Sequence, residues 1–569
     1  MKRMRWLALI GVLALVVAAC GTSADDTTTT TAAPDTPDTT AAPEQTTTTV
    51  DAGTPFEGLT LDAGGCDYGG RVNTISALDE NTVEFTLCGP HPAFLAQIAF
   101  GVFGIQPSEH LEATGGQPLD NPVGTGPYTL KEWVRGDSVV YERFDGYYGQ
   151  VAPHQTAVLR WATESAGRLL ELQTQADGIT FPGTEDLAGI DDDPALTLLS
   201  KPEPNIFYMG FTNTFAPWDD VNVRKAIALG IDRQRIVDIF YPEGSEAASH
   251  FTPCSVENGC QGDSWYEFNV EEAKALLADA GLGDGFSTSI YYRDVTRGYL
   301  PTPGDVGVEI AAQLKANLNI DAEVVVVESG EFIQTSSAGG YDGIHLLGWT
   351  GDYPHVTNFL DFHFAETNAQ FGDPYPEIYE PLATASQTAS ASDAAPLYEE
   401  ANNAIKDLIP MVPVAHAGAF FAAGADVAGA YAPPWGQVMF NFWDNGSDTL
   451  VFVQGNEPIS LYCSDETDGE SLRACAQVVE ALYSYTADGE VQPQLATECV
   501  PNDDLSVWTC SLREGVLFHD GTTFDANDVV VSFTAGLDAE SPLHTGNSGV
   551  FEYYDYLWNG LINPPPAEE

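Results

Sequence analysis

The chain has 569 residues, more than one hydrophobic core usually holds, so two or three domains are predicted. Hydrophobic residues make up 44% of the chain, which is enough for it to fold as a globular protein. Lys and Arg total 21 against 83 Asp and Glu, a formal net charge of -62. Nucleic-acid binding needs a basic surface that displaces counterions from phosphates, so no nucleic-acid partner is expected.

The first twenty residues have the order of a secretory signal. Lys2, Arg3 and Arg5 precede an apolar stretch from Leu7 to Ala19, which is too short for a membrane-spanning helix. The stretch ends in "VVAAC", which resembles the lipobox of bacterial lipoproteins, where cleavage leaves the cysteine lipid-modified. We therefore expect residues 1–20 to be a lipoprotein signal peptide ending at lipidated Cys20. The protein would then be extracytoplasmic, anchored to the outer face of the cell membrane, or periplasmic.

Residues 21–54 are rich in Thr, Pro and Ala, as in "TTTTTAAPDTPDTTAAPEQTTTT". This composition cannot bury a core, so a flexible or glycosylated stalk is predicted. As a coil it would reach roughly 30 Å.

Nine cysteines are present, and eight remain when Cys20 is set aside. An even number in an exported chain indicates disulfides. Eight cysteines allow many pairings, and the simplest joins near neighbours. The predicted pairs are Cys66/Cys88, Cys254/Cys260, Cys463/Cys475 and Cys499/Cys510. A zinc site is the alternative, but the C-x-x-C spacing typical of such sites is missing.

The body, from Pro55 to Ile562, mixes strand-like and helix-like runs. In chain order, "TVEFTL" reads as a strand, "NVRKAIALGIDRQRIVDIF" and "VEEAKALLADAGL" as helical, and "AEVVVVES" as a strand. Late in the chain, "LREGVLFHDGTTFDANDVVVSF" predicts a strand, a tight turn at 519–521 and a helix. Such mixing indicates an α/β (mixed α+β) fold.

The common catalytic motifs are missing. The chain has no G-x-x-x-x-G-K-[ST], no H-E-x-x-H and no G-x-S-x-G, so we expect neither an enzyme nor a cofactor. "GLGDGF" follows a helix and reads as the turn that ends it. No metal is expected, although four histidines stay open as an alternative set of ligands: His345, His355, His363 and His416.

Four stretches in order resemble the family 5 solute-binding proteins of bacterial ABC importers, the group that includes oligopeptide- and dipeptide-binding lipoproteins. They are "NPVGTGPYTLKEW", "FYMGFTNTFAPWDDVNVRKAIALGIDRQRIV", "NVEEAKALLADAGLGDGF" and "GWTGDYPHVTNFL". The likeness covers almost everything after the stalk.

The order of the chain departs from that family. Mature members resemble "DTLVFVQGNEPISL", then "VVEALYSYTADGEVQPQLA", then "LREGVLFHDGTTF" at their start, yet here these segments follow "YAPPWGQVMFNFWDNGS", which resembles the usual end. The simplest explanation is a circular permutation, with the old ends joined through "DNGSD". Permutation is tolerated where chain ends lie at the surface near one another. A mis-assembled gene is the alternative.

The resemblance implies a two-lobed periplasmic-binding-protein-like fold with an extra subdomain. Residues 136–235 and 425–483 would form the core of lobe I, and 236–424 would form lobe II. Residues 55–135, completed by 484–565 of the segment 484–569, would form the subdomain of lobe I. A ligand bound between the lobes would be enclosed by hinge closure.

The resemblance also implies a ligand-binding residue. In peptide-binding members an Asp just after the Gly-Trp grips the α-ammonium of the ligand, and here that position is Asp352. Trp349, Thr350 and Tyr353 would run alongside the ligand. The alternative is that Asp352 only stabilises its turn. Glu457 and Trp435 are further candidates to line the cleft, or else loop residues. Some dipeptide binders carry a basic residue on the preceding helix, but "GEFIQTSSAGG" has none.

The predicted function is capture of peptides, longer ones favoured over dipeptides, and delivery to separate ABC permease and ATPase subunits. A nickel chelate or a cationic small molecule is the alternative ligand. An exported enzyme or sensor on the same scaffold is the alternative class, because a fold alone does not name a function.

Overall fold

The structure is a computed structural model that describes residues 56–202 and 204–564. The predicted signal peptide, Cys20 and the stalk lie outside the described residues. The strands in the described part are β1 (Thr60–Asp62), β2 (Val72–Asp79), β3 (Thr82–Leu87), β4 (Tyr128–Val134), β5 (Ser138–Arg143), β6 (Thr156–Trp161), β7 (Gly178–Thr180), β8 (Leu196–Lys201), β9 (Asn205–Gly210), β10 (Glu246–Ala247), β11 (Ser287–Arg293), β12 (Asp321–Val327), β13 (Ile344–Thr350), β14 (Met411–His416), β15 (Ala419–Gly424), β16 (Thr449–Gln454), β17 (Tyr483–Tyr485), β18 (Val491–Pro493), β19 (Ala496–Pro501) and β20 (Val507–Leu512).

The α-helices of the same ranges alternate with these strands, as the sequence predicts for a mixed α/β fold. They are α1 (Phe94–Ile98), α2 (Ser108–Thr114), α3 (Ser165–Thr174), α4 (Leu187–Asp191), α5 (Val221–Gly230), α6 (Arg233–Phe240), α7 (Val270–Asp279), α8 (Pro303–Leu318), α9 (Ser329–Ser337), α10 (Thr357–Phe364), α11 (Pro376–Ala385), α12 (Ala391–Leu408), α13 (Gly469–Cys475), α14 (Ala526–Leu537) and α15 (Glu552–Leu557).

Local chemistry explains several of these boundaries. The run predicted as helical from Asn222 divides into α5 and α6, because the Asp232 side chain accepts the Arg235 N–H and begins a second helix. At α14 the carboxylate of Asp525 accepts the Asp528 N–H and that of Asp528 accepts the Asp525 N–H, which forms a capping box; the Asn527 N–H also donates to Asp525.

Two sheets each organise a hydrophobic core. A seven-stranded sheet has the order β4-β5-β6-β16-β7-β15-β8, with β16 parallel to both β6 and β7. A six-stranded sheet has the order β10-β14-β9-β13-β11-β12. Its strand β9 is buried at every position because β13 and β14 pair with it on both sides and helices cover its faces.

A third sheet brings together two distant parts of the chain. Its order is β1-β2-β3-β20-β19, and Trp508 of β20 lies opposite Phe85 of β3. Its core includes Val72, Phe103 and Trp558, all fully buried, so neither part of the chain completes this core alone.

Three strands pair across the predicted domain boundaries. β4, which was predicted to belong to the subdomain, pairs in the seven-stranded sheet. β15, which was predicted to belong to lobe II, pairs in the seven-stranded sheet as well. β9 pairs in the six-stranded sheet and not in the lobe I core. Each strand lies next to a crossover between sheets.

The four disulfides pair as the spacing predicts. Their Cα–Cα distances are 5.5 Å for Cys66–Cys88, 5.0 Å for Cys254–Cys260, 5.7 Å for Cys463–Cys475 and 3.9 Å for Cys499–Cys510. The last pair crosslinks the β19–β20 hairpin at directly opposed residues.

Among the described residues, no helix has the length and apolarity that a bilayer crossing demands.

Loop length predicts how much two of these disulfides stabilise the fold. Cys66–Cys88 spans 22 residues and Cys254–Cys260 spans 6. Constraint of the unfolded chain grows with loop length, so the double Ala variant of the longer pair should lose about 1 kcal/mol more stability. Guanidinium denaturation of both variants measures this difference. Equal losses, or a larger loss for Cys254–Cys260, would contradict the loop-length argument.

Candidate functional site

The end of β13 leads directly into the predicted ligand-binding loop. Trp349 and Thr350 pair with Ile206 and Asn205 of β9, and the Gly351 N–H donates to the carbonyl of Pro204 at 2.9 Å. A Cβ at Gly351 would lie 2.6 Å from Cζ3 of Trp435, so only glycine fits there. The Trp435 ring therefore fixes the path of the chain one residue before Asp352.

Asp352 is held by uncharged donors from two directions. Its backbone N–H donates to Asn358 Oδ1 at 2.9 Å, and Asn358 Nδ2 donates to Asp352 Oδ2 at 3.1 Å. The Tyr553 hydroxyl donates to Asp352 Oδ1 at 2.8 Å from α15. Trp349 Nε1 also donates to Asn358 Oδ1, at 3.1 Å. Asn358 is fully buried at the start of α10 and thus orients the side chains of both Asp352 and Trp349.

Burial raises the pKa of Asp352 to about 6, the nearby charge of Glu552 adds to the rise, and the hydrogen bonds from Asn358 and Tyr553 oppose it. In the part of the chain that the structure describes, no Lys, Arg or His nitrogen forms an ion pair with this carboxylate. A partly buried carboxylate without a countercharge favours a cationic group that arrives with a ligand.

Aromatic rings surround this carboxylate. The ring of Trp349 stacks on Phe362 at 4.4 Å between centroids, and Phe362 meets the edge of Tyr556 at 4.8 Å. Burial raises the pKa of Tyr553 well above its usual value, and the charge of Asp352 adds to that rise. Tyr553 therefore remains a neutral hydrogen-bond donor at physiological pH.

A cavity of about 830 Å³ adjoins these rings. One wall comes from α10 and α11, and the other comes from the subdomain built on the five-stranded sheet. Its lining includes Arg71, His91, Tyr353, Asp361 and Tyr556. This volume is within the range of pockets that enclose small-molecule ligands.

Most of the predicted site residues lie together in the fold. Trp349 and Thr350 precede Gly351 at the turn, Asp352 and Tyr353 follow it, and Trp435 packs on Gly351. Tyr353 is buried and lines the cavity.

Glu457 has a different set of contacts. It accepts hydrogen bonds from Trp133 Nε1 at 3.2 Å and from the Gly136 N–H at 3.1 Å, and it lies 4.0 Å from Arg135. These contacts are at the β4–β5 turn, where the carboxylate satisfies backbone and indole donors. Among the described residues, Glu457 forms no hydrogen bond or ion pair with the Asp352 cluster.

The four histidines do not gather around one point. The Nδ1 atoms of His355, His363 and His416 each form a hydrogen bond within their own neighbourhood, to Thr357, Phe359 and Asn205 respectively. Among the described residues, the group within metal-binding reach is His250 with Cys254 and Cys260, whose sulfurs are joined in a disulfide.

Asn358, Tyr553, Tyr556 and Arg71 are site residues that the sequence did not predict. Asn358 lies in the quoted motif "GWTGDYPHVTNFL", six residues after Asp352, so its position was visible but its role was not. Tyr553 lies 201 residues from Asp352. Only the aromatic run "FEYYDYL" marked that segment, and such a run is equally typical of a core helix.

Comparison with known proteins now decides the family. Residues 27–371 and 490–550 match the profile of the bacterial extracellular solute-binding proteins, family 5 Middle. The chain belongs to family 5 of the bacterial extracellular solute-binding proteins. Its family is one of binding proteins and not of enzymes, and the resemblance of the four quoted motifs is thereby confirmed.

Individual relatives cover about two thirds of this solute-binding protein. The dipeptide-binding protein of Escherichia coli (strain K12) is 29% identical over 396 residues, 68% of this chain and 72% of the relative. Heme-binding protein A of Haemophilus influenzae is 27% identical, over 65% of this chain and 69% of the relative. A dipeptide-binding protein of Pseudoalteromonas sp. SM9913 in complex with Met-Leu superposes with a TM-score of 0.57 and 25% identity, over 67% of this chain and 76% of that chain.

The hydrogen bond from Tyr553 predicts a measurable change in the acidity of Asp352. Tyr553→Phe removes a donor that favours the ionised carboxylate, so the pKa of Asp352 should rise above its wild-type value. Carbon-13 NMR titration of Asp-labelled protein, with Asp352→Asn to assign the signal, measures this pKa. Tyr554→Phe is the matched control on the same helix and should leave the pKa unchanged. A pKa that is equal in all three proteins would mean that Tyr553 and Asp352 do not interact in solution.

Proposed function

We propose that this protein is the substrate-binding component of an ABC importer, which captures peptides between two lobes and delivers them to a membrane permease. The observation that carries the proposal is the Asp352 carboxylate, which lies in a loop between two parts of the fold, partly buried and without a countercharge. The names of relatives support the same ligand class, since two of the three compared proteins are dipeptide-binding proteins.

The chemistry of the site suits a peptide α-ammonium. An ammonium that enters a cleft loses its water, and a carboxylate with good hydrogen-bond geometry compensates for that loss. The donors from Asn358 and Tyr553 hold the carboxylate in one orientation before the ligand arrives. The ligand therefore binds to a group that is already positioned.

The edge of β13 offers a place for the peptide backbone. β11 pairs with β13 only at Ile344 and His345 of β13. In the described part of the chain, the remaining residues of β13 therefore have no strand partner on that side. An extended peptide that starts at Asp352 and runs beside Trp349 and Thr350 would gain main-chain hydrogen bonds there.

A different solute is the competing candidate, because one relative is named for heme. Nickel chelates and cationic small molecules belong to the same group of alternatives, since each would place positive charge near Asp352. Mass spectrometry of the ligand that co-purifies with the native protein separates these candidates from peptides.

We also propose that Cys20 is lipidated and that residues 21–54 tether the solute-binding body to the outer face of the membrane. The residue order of the first twenty positions supports this, and an importer's binding component must stay near its permease.

We propose further that the chain is circularly permuted relative to its family. Three observations support it. The strand β16, with the sequence that resembles a mature start, lies in the centre of the seven-stranded sheet. The ring of Phe452 in β16 lies 5.2 Å from that of Phe440, in the segment that resembles the usual end. Near the two ends of the described chain, Leu59 and Ile562 each bond to α14, at Asn527 and Leu537.

Reordering the chain tests the permutation. A protein that runs from residue 448 to 564, then through about eight Gly and Ser residues to 56–447, has a linker long enough to cross the length of α14. It should fold with a melting temperature within a few degrees of the wild type, because every core contact is retained. A reordered chain that remains unfolded would contradict the permutation. Chymotryptic digestion of the native protein should yield a peptide that spans residues 444–450, where the old ends are joined. Detecting this peptide by mass spectrometry would exclude a mis-assembled gene.

The peptide function is tested by removing each charge of the proposed pair. Removing one partner of a desolvated pair leaves the other unpaired, which typically weakens binding by about 2–5 kcal/mol. Asp352→Asn should therefore bind trialanine roughly 30- to 5,000-fold more weakly, with the melting temperature of the empty protein nearly unchanged. Acetylating the N-terminus of trialanine should weaken binding to the wild type equally, and weaken binding to the variant little further.

Titration calorimetry on the four combinations measures this coupling. Asp279→Asn, at an exposed position in α7, makes the same charge change away from the site and should bind like the wild type. Equal losses on acetylation for wild type and Asp352→Asn would show that Asp352 only shapes its turn.

A further inference from the structure

Arg71 lies where two cavities meet. It lines the cavity of about 830 Å³ and an adjoining one of about 290 Å³. His91 and Asn559 line both cavities as well. Arg71 therefore places a positive charge where the two cavities join, beside a space large enough to hold a solute.

The backbone fixes Arg71 firmly at this position. Its N–H donates to the carbonyl of Trp558 at 2.8 Å, and its carbonyl accepts from the Cys88 N–H at 2.8 Å. Cys88 is in turn bonded to Cys66 through a disulfide. The segments before and after Arg71 are thus crosslinked to each other, so the backbone is fixed in advance and only the side chain has to be ordered when a ligand binds.

The guanidinium of Arg71 has no carboxylate within 4.0 Å among the described residues. Other cations of this acidic chain do have such partners, for example Arg160 with Glu171 and Arg235 with Glu309, both at 2.7 Å. Arg71 differs from these pairs in that it lines a cavity and leaves its guanidinium without a carboxylate partner in the described part of the chain.

The titratable groups that face Arg71 offer it little negative charge in mildly acidic solution. Burial, with the charge of Arg71 adding to it, lowers the pKa of His91 and lowers that of His355 to about 4, so both stay neutral. Burial raises the pKa of Asp361 to about 7 against the influence of Arg71, so Asp361 is largely protonated in mildly acidic solution. The other acidic residue of the lining, Glu366, is exposed. The tyrosines of the lining carry no charge near neutral pH.

We propose that Arg71 is the carboxylate-binding residue of this cavity and takes a carboxylate of the captured solute. The planar guanidinium presents paired N–H donors that match a carboxylate in geometry and charge. The inference rests on the proposed function for the solute as a whole, whose ammonium would lie at Asp352. The carboxylate has two sources in a peptide, its C-terminus and an acidic side chain.

Three peptides distinguish these sources by titration calorimetry. Trialanine carries a C-terminal carboxylate, trialanine amide carries none, and Ala-Glu-Ala amide carries one on its side chain. The wild type should bind the amide of trialanine ~10- to 100-fold more weakly than at least one of the two carboxylate-bearing peptides, as expected for a charge-assisted hydrogen bond. The peptide that retains the affinity identifies the source.

Variants connect that preference to Arg71. In Arg71→Gln the preference for a carboxylate should vanish, and in Arg71→Lys, which keeps the charge but not the paired donors, part of it should return. Arg297→Gln removes an exposed arginine outside both cavities and should keep the full preference. Circular dichroism and melting temperature verify that each variant is folded.

The outcomes separate this inference from the peptide function. A carboxylate preference that is unchanged in folded Arg71→Gln overturns the inference, while the losses at Asp352 would still support the peptide function. If trialanine fails to bind the wild type, the peptide function fails, and the same variants are compared with succinate and succinamide. Succinate binding that depends on Arg71 supports the carboxylate site. If succinate does not bind, or binds without Arg71, the inference is overturned.

Discussion

The pairing of β3 with β20 is the constraint on which the cleft depends. It joins parts of the chain far apart in sequence, and nearby the Leu59 N–H donates to the side chain of Asn527, 468 residues away. The same subdomain carries Arg71 and α15, so this one sheet edge brings the Arg71 guanidinium and the Tyr553 hydroxyl to the wall that faces α10. Without that pairing, Asp352 would lose a hydrogen-bond donor and the cavity would lose a wall.

The electrostatics of that wall are unusual for a folded interior. Burying a carboxylate without a cation is unfavourable by several kcal/mol in general, and proteins tolerate this mainly at functional sites. Here Asp352 has two neutral donors and no ion pair in the described structure, and Arg71, which lines the adjoining cavity, has no ion pair there either. The two charges are not used to stabilise each other. A ligand that brings both signs of charge compensates for what the fold leaves unpaired.

Local features of this fold could be predicted from the sequence because their causes are local. Alternating burial in β3, the capping box of α14 and the crosslinked β19–β20 hairpin all depend on residues within about a dozen positions of one another. The turn after β13 was likewise visible in "TGDYPH". The contact of Tyr553 with Asp352 was not, since it spans 201 residues and depends on how a helix docks. Glu457 shows the same limit: its loop was identified, but the direction of its side chain follows from the neighbouring β4–β5 turn.

Two carboxylates nine positions apart, Asp352 and Asp361, differ in their hydrogen bonding. Asp352 accepts two side-chain hydrogen bonds that favour its ionised form, whereas Oδ1 of Asp361 is buried with no hydrogen-bond partner in the described part of the protein. Burial accordingly raises the pKa of Asp352 to about 6 and that of Asp361 to about 7. The donors to Asp352 favour its ionised form, whereas no donor among the described residues stabilises a charge on Oδ1 of Asp361. The negative charge therefore develops where donors already orient it, and the positive charge of Arg71 stays available to a ligand.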